Sequence, residues 1–180
     1  TTIATVKIVS RKNVCLYSGP PMDKSCDERL VTEFMIPEGK KIVCGGSSAN
    51  IVSRVLKQPL MPSIEYSDPE IPPTATIAGI DLVTEGVITL KRTVDILKNY
   101  VENPTGKEVL TSLDLKNGAS QIAKMLIEDC THLYLYIGQS INPAHQNPDL
   151  PFDLSIKMII LDELYSLMIK LGKVVKRYYY

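Results

Sequence analysis

Residues 40–56 read KKIVCGGSSANIVSRVL, and this stretch decides the fold. Lys41-Ile42-Val43-Cys44 is a short apolar run of the kind that forms a strand buried on both faces. Gly45-Gly46-Ser47-Ser48 follows at once. From Ala49 to Lys57 the apolar residues change period, and Ile51, Val52, Val55 and Leu56 mark one face of a helix that ends before Pro59. A strand, a glycine turn and a helix in seventeen residues is the unit from which parallel sheets are built.

The same punctuation recurs outward from this unit. Val14–Tyr17, Leu82–Thr84 and His132–Ile137 read as strands, with Thr74–Ile80 ahead of the second and Val174–Tyr179 closing the chain. Thr2–Val9 alternates β-branched residues and reads as a further strand. Helices are expected over Asp27–Ile36, over Thr89–Val101 with Thr89 as N-cap, after Asn117-Gly118, and from a cap at Asp153 to Gly172. Residues 58–73 hold five of the twelve prolines and read as a long ordered loop. The expected fold is α/β: a doubly wound three-layer sandwich with a mostly parallel sheet of about five strands.

Composition excludes several classes. Twenty Lys and Arg balance twenty Asp and Glu, which argues against nucleic acid or an anionic membrane as the main partner. No apolar run is long enough to span a bilayer, and nothing at the start resembles a signal peptide. Cys15, Cys26, Cys44 and Cys130 form no CxxC pair and read as reduced thiols of a cytoplasmic protein. Two histidines, His132 and His145, leave little from which to build a zinc site.

Candidate site residues follow from the strand ends. Gly19, Gly45-Gly46, Gly86 and Gly138 each close a predicted strand, and a parallel sheet brings such ends to one edge, where ligands bind. Gly45, Gly46, Ser47, Ser48 and Asn50 combine two glycines, two hydroxyls and a helix start, a cradle for phosphate or carboxylate. The plainer alternative is that Ser47 only caps the helix. Thr84 and Glu85 end their strand, where Glu85 either accepts a ligand hydroxyl or acts as acid or base; otherwise it is a solvated carboxylate. Asp81 precedes it on the same face by period two. Gly138, Asn142, His145 and Asn147 belong to a polar, proline-broken loop that completes the expected site. Glu85 and His145 are the weak catalytic candidates. No GxSxG elbow, GxGxxG fingerprint or P-loop occurs.

Four stretches carry a family likeness: GPP at 19–21, residues 40–56, IAGIDLVTEGVITL at 77–90 and INPAHQNPDLP at 141–151. They resemble the region that follows the catalytic domain in bacterial serine/threonine phosphatases of the stage II sporulation protein E type, within the metal-dependent type 2C superfamily. The likeness spans about residues 13–176. Relatives commonly show GGTTAN where this chain has Gly45 to Asn50 as GGSSAN, which keeps both hydroxyls. The resemblance implies that residues 1–10 are the last strand of an upstream phosphatase domain and residues 11–180 a single accessory domain. A start at Thr1 rather than Met fits a fragment or a processed chain. Manganese or magnesium is then expected only in the upstream domain, and no cofactor, metal ligand or catalytic residue carries over to this chain. Expected partners are the attached phosphatase domain, a small anionic ligand and, as an alternative, a second copy in a homodimer paired through Val174–Tyr180. An independent small-molecule enzyme is the third reading.

Overall fold

A computed structural model of the chain describes residues 1–6, 8–63, 71–140 and 156–180. Five strands run parallel: β1 (Asn13–Ser18), β2 (Lys40–Cys44), β5 (Leu82–Thr84), β6 (His132–Ile137) and β7 (Val174–Tyr179). Two two-residue strands, β3 (Met61–Pro62) and β4 (Ala75–Thr76), add antiparallel pairs beyond β5. The order across the sheet is β3-β4-β5-β2-β1-β6-β7. The expected sheet of about five strands is thus corrected to seven strands of mixed direction. The proline-rich stretch supplies β3, because an edge strand tolerates Pro62 where a central one would not, and β4 is a short piece of the segment read as strand over 74–80.

Side-chain alternation assigns each strand to two cores. Val14 and Leu16 of β1, Ile42 and Cys44 of β2, and Leu133, Leu135 and Ile137 of β6 face one way. Cys15, Tyr17, Val43, Tyr134 and Tyr136 face the other. The first face is covered by α3 (Val87–Glu102), α5 (Gly118–Glu128) and α6 (Ile156–Lys170), with Leu90, Val94, Ile122, Leu126 and Leu164 pointing inward. The second is covered by α1 (Asp27–Met35) and α2 (Gly46–Leu56), through Leu30, Val31, Phe34, Ala49 and Val52. Phe34 packs edge-on to Tyr136 with ring centroids 5.5 Å apart. Burial on both faces explains why the strands read as continuous apolar runs.

Several boundaries differ from the sequence expectation. Among the described residues of Thr2–Val9 no strand forms; Ile3, Val6, Ile8 and Val9 are exposed, with no neighbouring strand to pair with. The segment 74–84 is divided because Gly79 takes φ +86° and Ile80 N–H turns back to Ile77 O at 3.0 Å. α2 starts at Gly46, not Ala49, so Ser47 lies inside the first turn and caps nothing; Gly45 holds the N-cap position. α3 starts at Val87 with Gly86 as its N-cap, and Thr89 is a fully buried helical residue rather than a cap. Asn117 does cap α5, accepting from Ser120 N–H at 2.9 Å. A short helix, α4 (Lys107–Leu113), and a 3₁₀ turn at Lys24–Cys26 were not expected. Asp153 lies outside the described residues. No helix among the described residues is long and apolar enough to cross a membrane.

Cys15, Cys44 and Cys130 are buried free thiols, and Cys26 is partly exposed. Burial pushes Cys44 and Cys130 up to about 12 from an ordinary value of 9.0. Above pH 9 the unfolded chain has lost these protons while the native chain keeps them, so stability falls as pH rises from 9 towards 12. The limiting slope is about 1.4 kcal/mol per pH unit for each thiol. Urea unfolding between pH 8 and 10 is expected to show this decline, and Cys44→Ala to remove one thiol's share of it. Equal slopes in the two proteins would contradict the assignment.

Candidate functional site

Parallel strands leave their carboxyl ends on one edge, and four of the turns there bound a single cleft of about 240 Å³. Ser18, Gly19 and Pro20 follow β1; Gly45 to Ser48 follow β2; Glu85, Gly86 and Val87 follow β5; Ser140 follows β6. Lys157 of α6 closes the ring. Of the residues selected from sequence, the fold brings Gly45, Gly46, Ser47, Ser48 and Glu85 together here.

The glycine turns permit this convergence. Gly45 sits at φ +113°, in the region that favours glycine, and its N–H donates to Thr84 O at 2.9 Å. A Cβ on Gly86 would lie 3.4 Å from Gly45 Cα, so the two backbones run in contact. The N-termini of α2 and α3 therefore open side by side. Helical hydrogen bonding begins only with Ala49 N–H to Gly45 O at 2.9 Å in α2 and Leu90 N–H to Gly86 O at 3.1 Å in α3. The amides before these bonds are the orphan donors of each helix start, and each end carries about half a positive charge. No side chain caps either helix.

Ser48 is buried and its Oγ accepts from Gly19 N–H at 2.8 Å, tying the β1 turn to α2. Lys157 Nζ donates to Gly138 O at 2.5 Å and stands 3.5 Å from Ser140 O. Desolvation holds its ammonium below the ordinary lysine range. Glu85 Oε2 is sealed from solvent and receives no hydrogen bond. Two helix starts and one ammonium against one carboxylate leave the cleft with about one net positive charge, which suits an anion.

Other sequence candidates fall differently. Thr84 is buried, but its hydroxyl donates to Glu85 O at 2.9 Å rather than lining the cleft. Asn50 is exposed on α2, away from the lining. Gly138 contributes through its carbonyl, the acceptor for Lys157. Asp81 lies at the opposite end of β5 from Glu85, where its carboxylate accepts from Lys41 N–H at 2.7 Å and holds β5 to β2. Asn142, His145 and Asn147 lie outside the described residues, so their expected place at this edge has no structural counterpart here. Among the described residues no group of His, Cys, Asp and Glu is arranged to hold a metal ion.

Sequence reasoning singled out the polar loop that supplies Ser140 but missed Ser18, Pro20 and above all Lys157. One signal for it existed: a lone lysine in the first turn of an apolar helix opposes the helix dipole. Comparison with known proteins gives no matching family model, no match among curated proteins and no match among solved structures.

The turn after β6 is packed too tightly for a side chain. A Cβ on Gly138 would meet Gly19 O at 2.1 Å and Pro20 O at 2.2 Å, both backbone atoms, whereas one on Gly46 meets nothing within 4 Å. Gly138→Ala is expected to destabilise the fold by about 1–3 kcal/mol, while Gly46→Ala stays within about 0.5 kcal/mol of wild type. Parallel urea titrations check the contrast, and similar midpoints for the two variants would refute the packing argument.

Proposed function

We propose that this chain is a binding module for a small molecule bearing a phosphate or carboxylate, held at the carboxyl edge of its sheet. One observation carries the reading: the helix starts of α2 and α3 and the Lys157 ammonium meet in one cleft. Unbonded amides, two dipole ends and a cation in a partly desolvated pocket reward negative charge far more than any neutral group. Strand order supports the position. Taken in chain order, the five parallel strands run third, second, first, fourth, fifth across the sheet. That is the order of a doubly wound sandwich, which we take as the finer description of this fold, and such sheets bind ligands beside the point where the order reverses. Here that point lies between β1 and β6, whose turns both reach the cleft.

We extend the proposal along the family likeness. The module is an accessory domain of a stage II sporulation protein E-like phosphatase, in the cytoplasm, where occupancy of the cleft regulates the attached catalytic domain. Manganese or magnesium would serve that domain and not this one. Reading the chain as an enzyme in its own right has less support: Glu85 lies in the cleft, but the described residues give it no partner for acid–base work.

One further observation favours assembly as a second reading. β7 is the last strand of the sheet, so among the described residues its outer edge is unpaired, and Val174, Tyr178 and Tyr179 are exposed along it. Such an edge can pair with another chain. Light scattering of the protein at high concentration is expected to report a dimer under this reading, and a monomer removes it.

A single substitution tests the anion site. Gly46 is the first residue of α2, where proline fits without loss of a helical bond and deletes one donor amide. Gly46→Pro should fold normally yet bind phosphate or carboxylate compounds about ten- to a hundredfold more weakly, matching the ~1.5–3 kcal/mol of a hydrogen bond to a charged group. Thermal-shift screening followed by calorimetry reads this. The proposal fails if no such compound stabilises the wild type, or if both proteins bind it equally.

A further inference from the structure

We propose that the occupant of the cleft is a phosphorylated polyol, such as a monosaccharide phosphate, whose phosphate rests on the helix-start amides beside Lys157 and whose hydroxyl groups donate to Glu85. This rests on the anion-binding reading and supplies the other half of the ligand.

Glu85 motivates it. An ionised carboxylate only accepts hydrogen bonds, and Oε2 of Glu85 is sealed from solvent with no donor facing it. A buried acceptor left in this state is costly, so native structures satisfy such atoms. Oε2 itself is closed to solvent, but the Glu85 side chain lines the cleft, so a carboxylate turned slightly into that space meets a donor carried by its occupant. Three kinds of occupant could donate or coordinate. A bare anion adds repulsion, and even the P–OH of hydrogen phosphate reaches Glu85 only by bringing its negative charge against the carboxylate. An ammonium-bearing ligand satisfies Glu85 but meets the ammonium of Lys157 and two positive helix ends. A neutral hydroxyl satisfies Glu85 without either conflict.

Size and lining narrow the class. About 240 Å³ falls below the ~300–1,000 Å³ usual for drug-sized ligands and suits one sugar ring with its phosphate. Among the described residues no aromatic side chain lines the cleft, so nothing offers the stacking surface that a nucleobase uses. Ser18, only 3% exposed, and the exposed Ser47 add hydroxyls that can both give and accept hydrogen bonds from a polyol.

Calorimetry on the full chain compares inorganic phosphate with ribose 5-phosphate, glycerol 3-phosphate and glucose 6-phosphate, each in EDTA and again with magnesium. Wild type is expected to bind at least one of the three phosphate esters tenfold or more tightly than inorganic phosphate in EDTA. Glu85→Ala should shrink that preference to under threefold, because the ester loses its acceptor while the phosphate loses a repulsive neighbour. Glu85→Gln, which keeps the side-chain shape, should also shrink it and serves if the alanine variant does not fold. Equal binding of ester and inorganic phosphate by wild type, a preference that survives both substitutions, or binding that requires magnesium would overturn the polyol assignment and leave the anion site standing. Failure of wild type to bind any of the four compounds would overturn both.

Discussion

Gly45 and Gly86 touch backbone to backbone, and the functional edge of the molecule depends on that contact. A Cβ on Gly86 would stand 3.4 Å from Gly45 Cα, at the near limit of ordinary van der Waals contact, and Gly45 itself sits at φ +113°, which favours glycine. β2 and β5 are neighbours in the sheet, so the turns leaving them are adjacent by topology. Glycine at both turns lets α2 and α3 begin there on opposite faces of the sheet without being pushed apart. Two helix ends of like sign are thereby held together, an arrangement that costs electrostatic energy until negative charge is supplied. The absence of a capping side chain on either helix keeps their donors available.

Much of the architecture was legible because strand and helix leave different marks. β6 and β7 are found at the residues the sequence indicated, since HLYLYI and VVKRYY are bounded by sharp changes of composition. The alternation that divides Leu133, Leu135 and Ile137 from Tyr134 and Tyr136 also separates the two cores. Helix starts were read late by one turn because caps were sought among hydroxyl residues. At Gly45 and Gly86 the cap position is held by glycine, and the hydroxyls of Ser47 and Thr89 fall within the helices. β3 was hidden because a two-residue strand carries no periodicity at all, whereas β4 falls inside the segment read as strand over Thr74–Ile80. Thr2–Val9 shows alternation too, but within this chain its described residues are exposed and form no strand.

The candidate site was legible where it is local and illegible where it is assembled. Gly45 to Ser48 form one continuous turn, so their chemistry could be read from spacing. Glu85 was placed correctly because it ends a strand. Lys157 comes from a helix more than seventy residues beyond β5, and only tertiary packing reveals that its ammonium reaches the turns after β1 and β6. Thr84 looked equivalent to its neighbour Glu85, yet its hydroxyl is consumed by the adjacent carbonyl. Residue type and position do not reveal which polar groups already have partners.

Tyr180 joins the far edge of the sheet to this same rim. Its N–H donates to Ile137 O, and its carbonyl accepts from both Met22 N–H and Gln139 N–H. Its ring stacks 6.4 Å from that of Tyr136, and its hydroxyl bonds to Glu33 of α1. One residue thus clasps the loops after β1 and β6 from behind, as a keystone does in an arch. Mechanical load or crowding applied at the β7 border would be transmitted to the mouth of the cleft through two amides, with no moving domain in between.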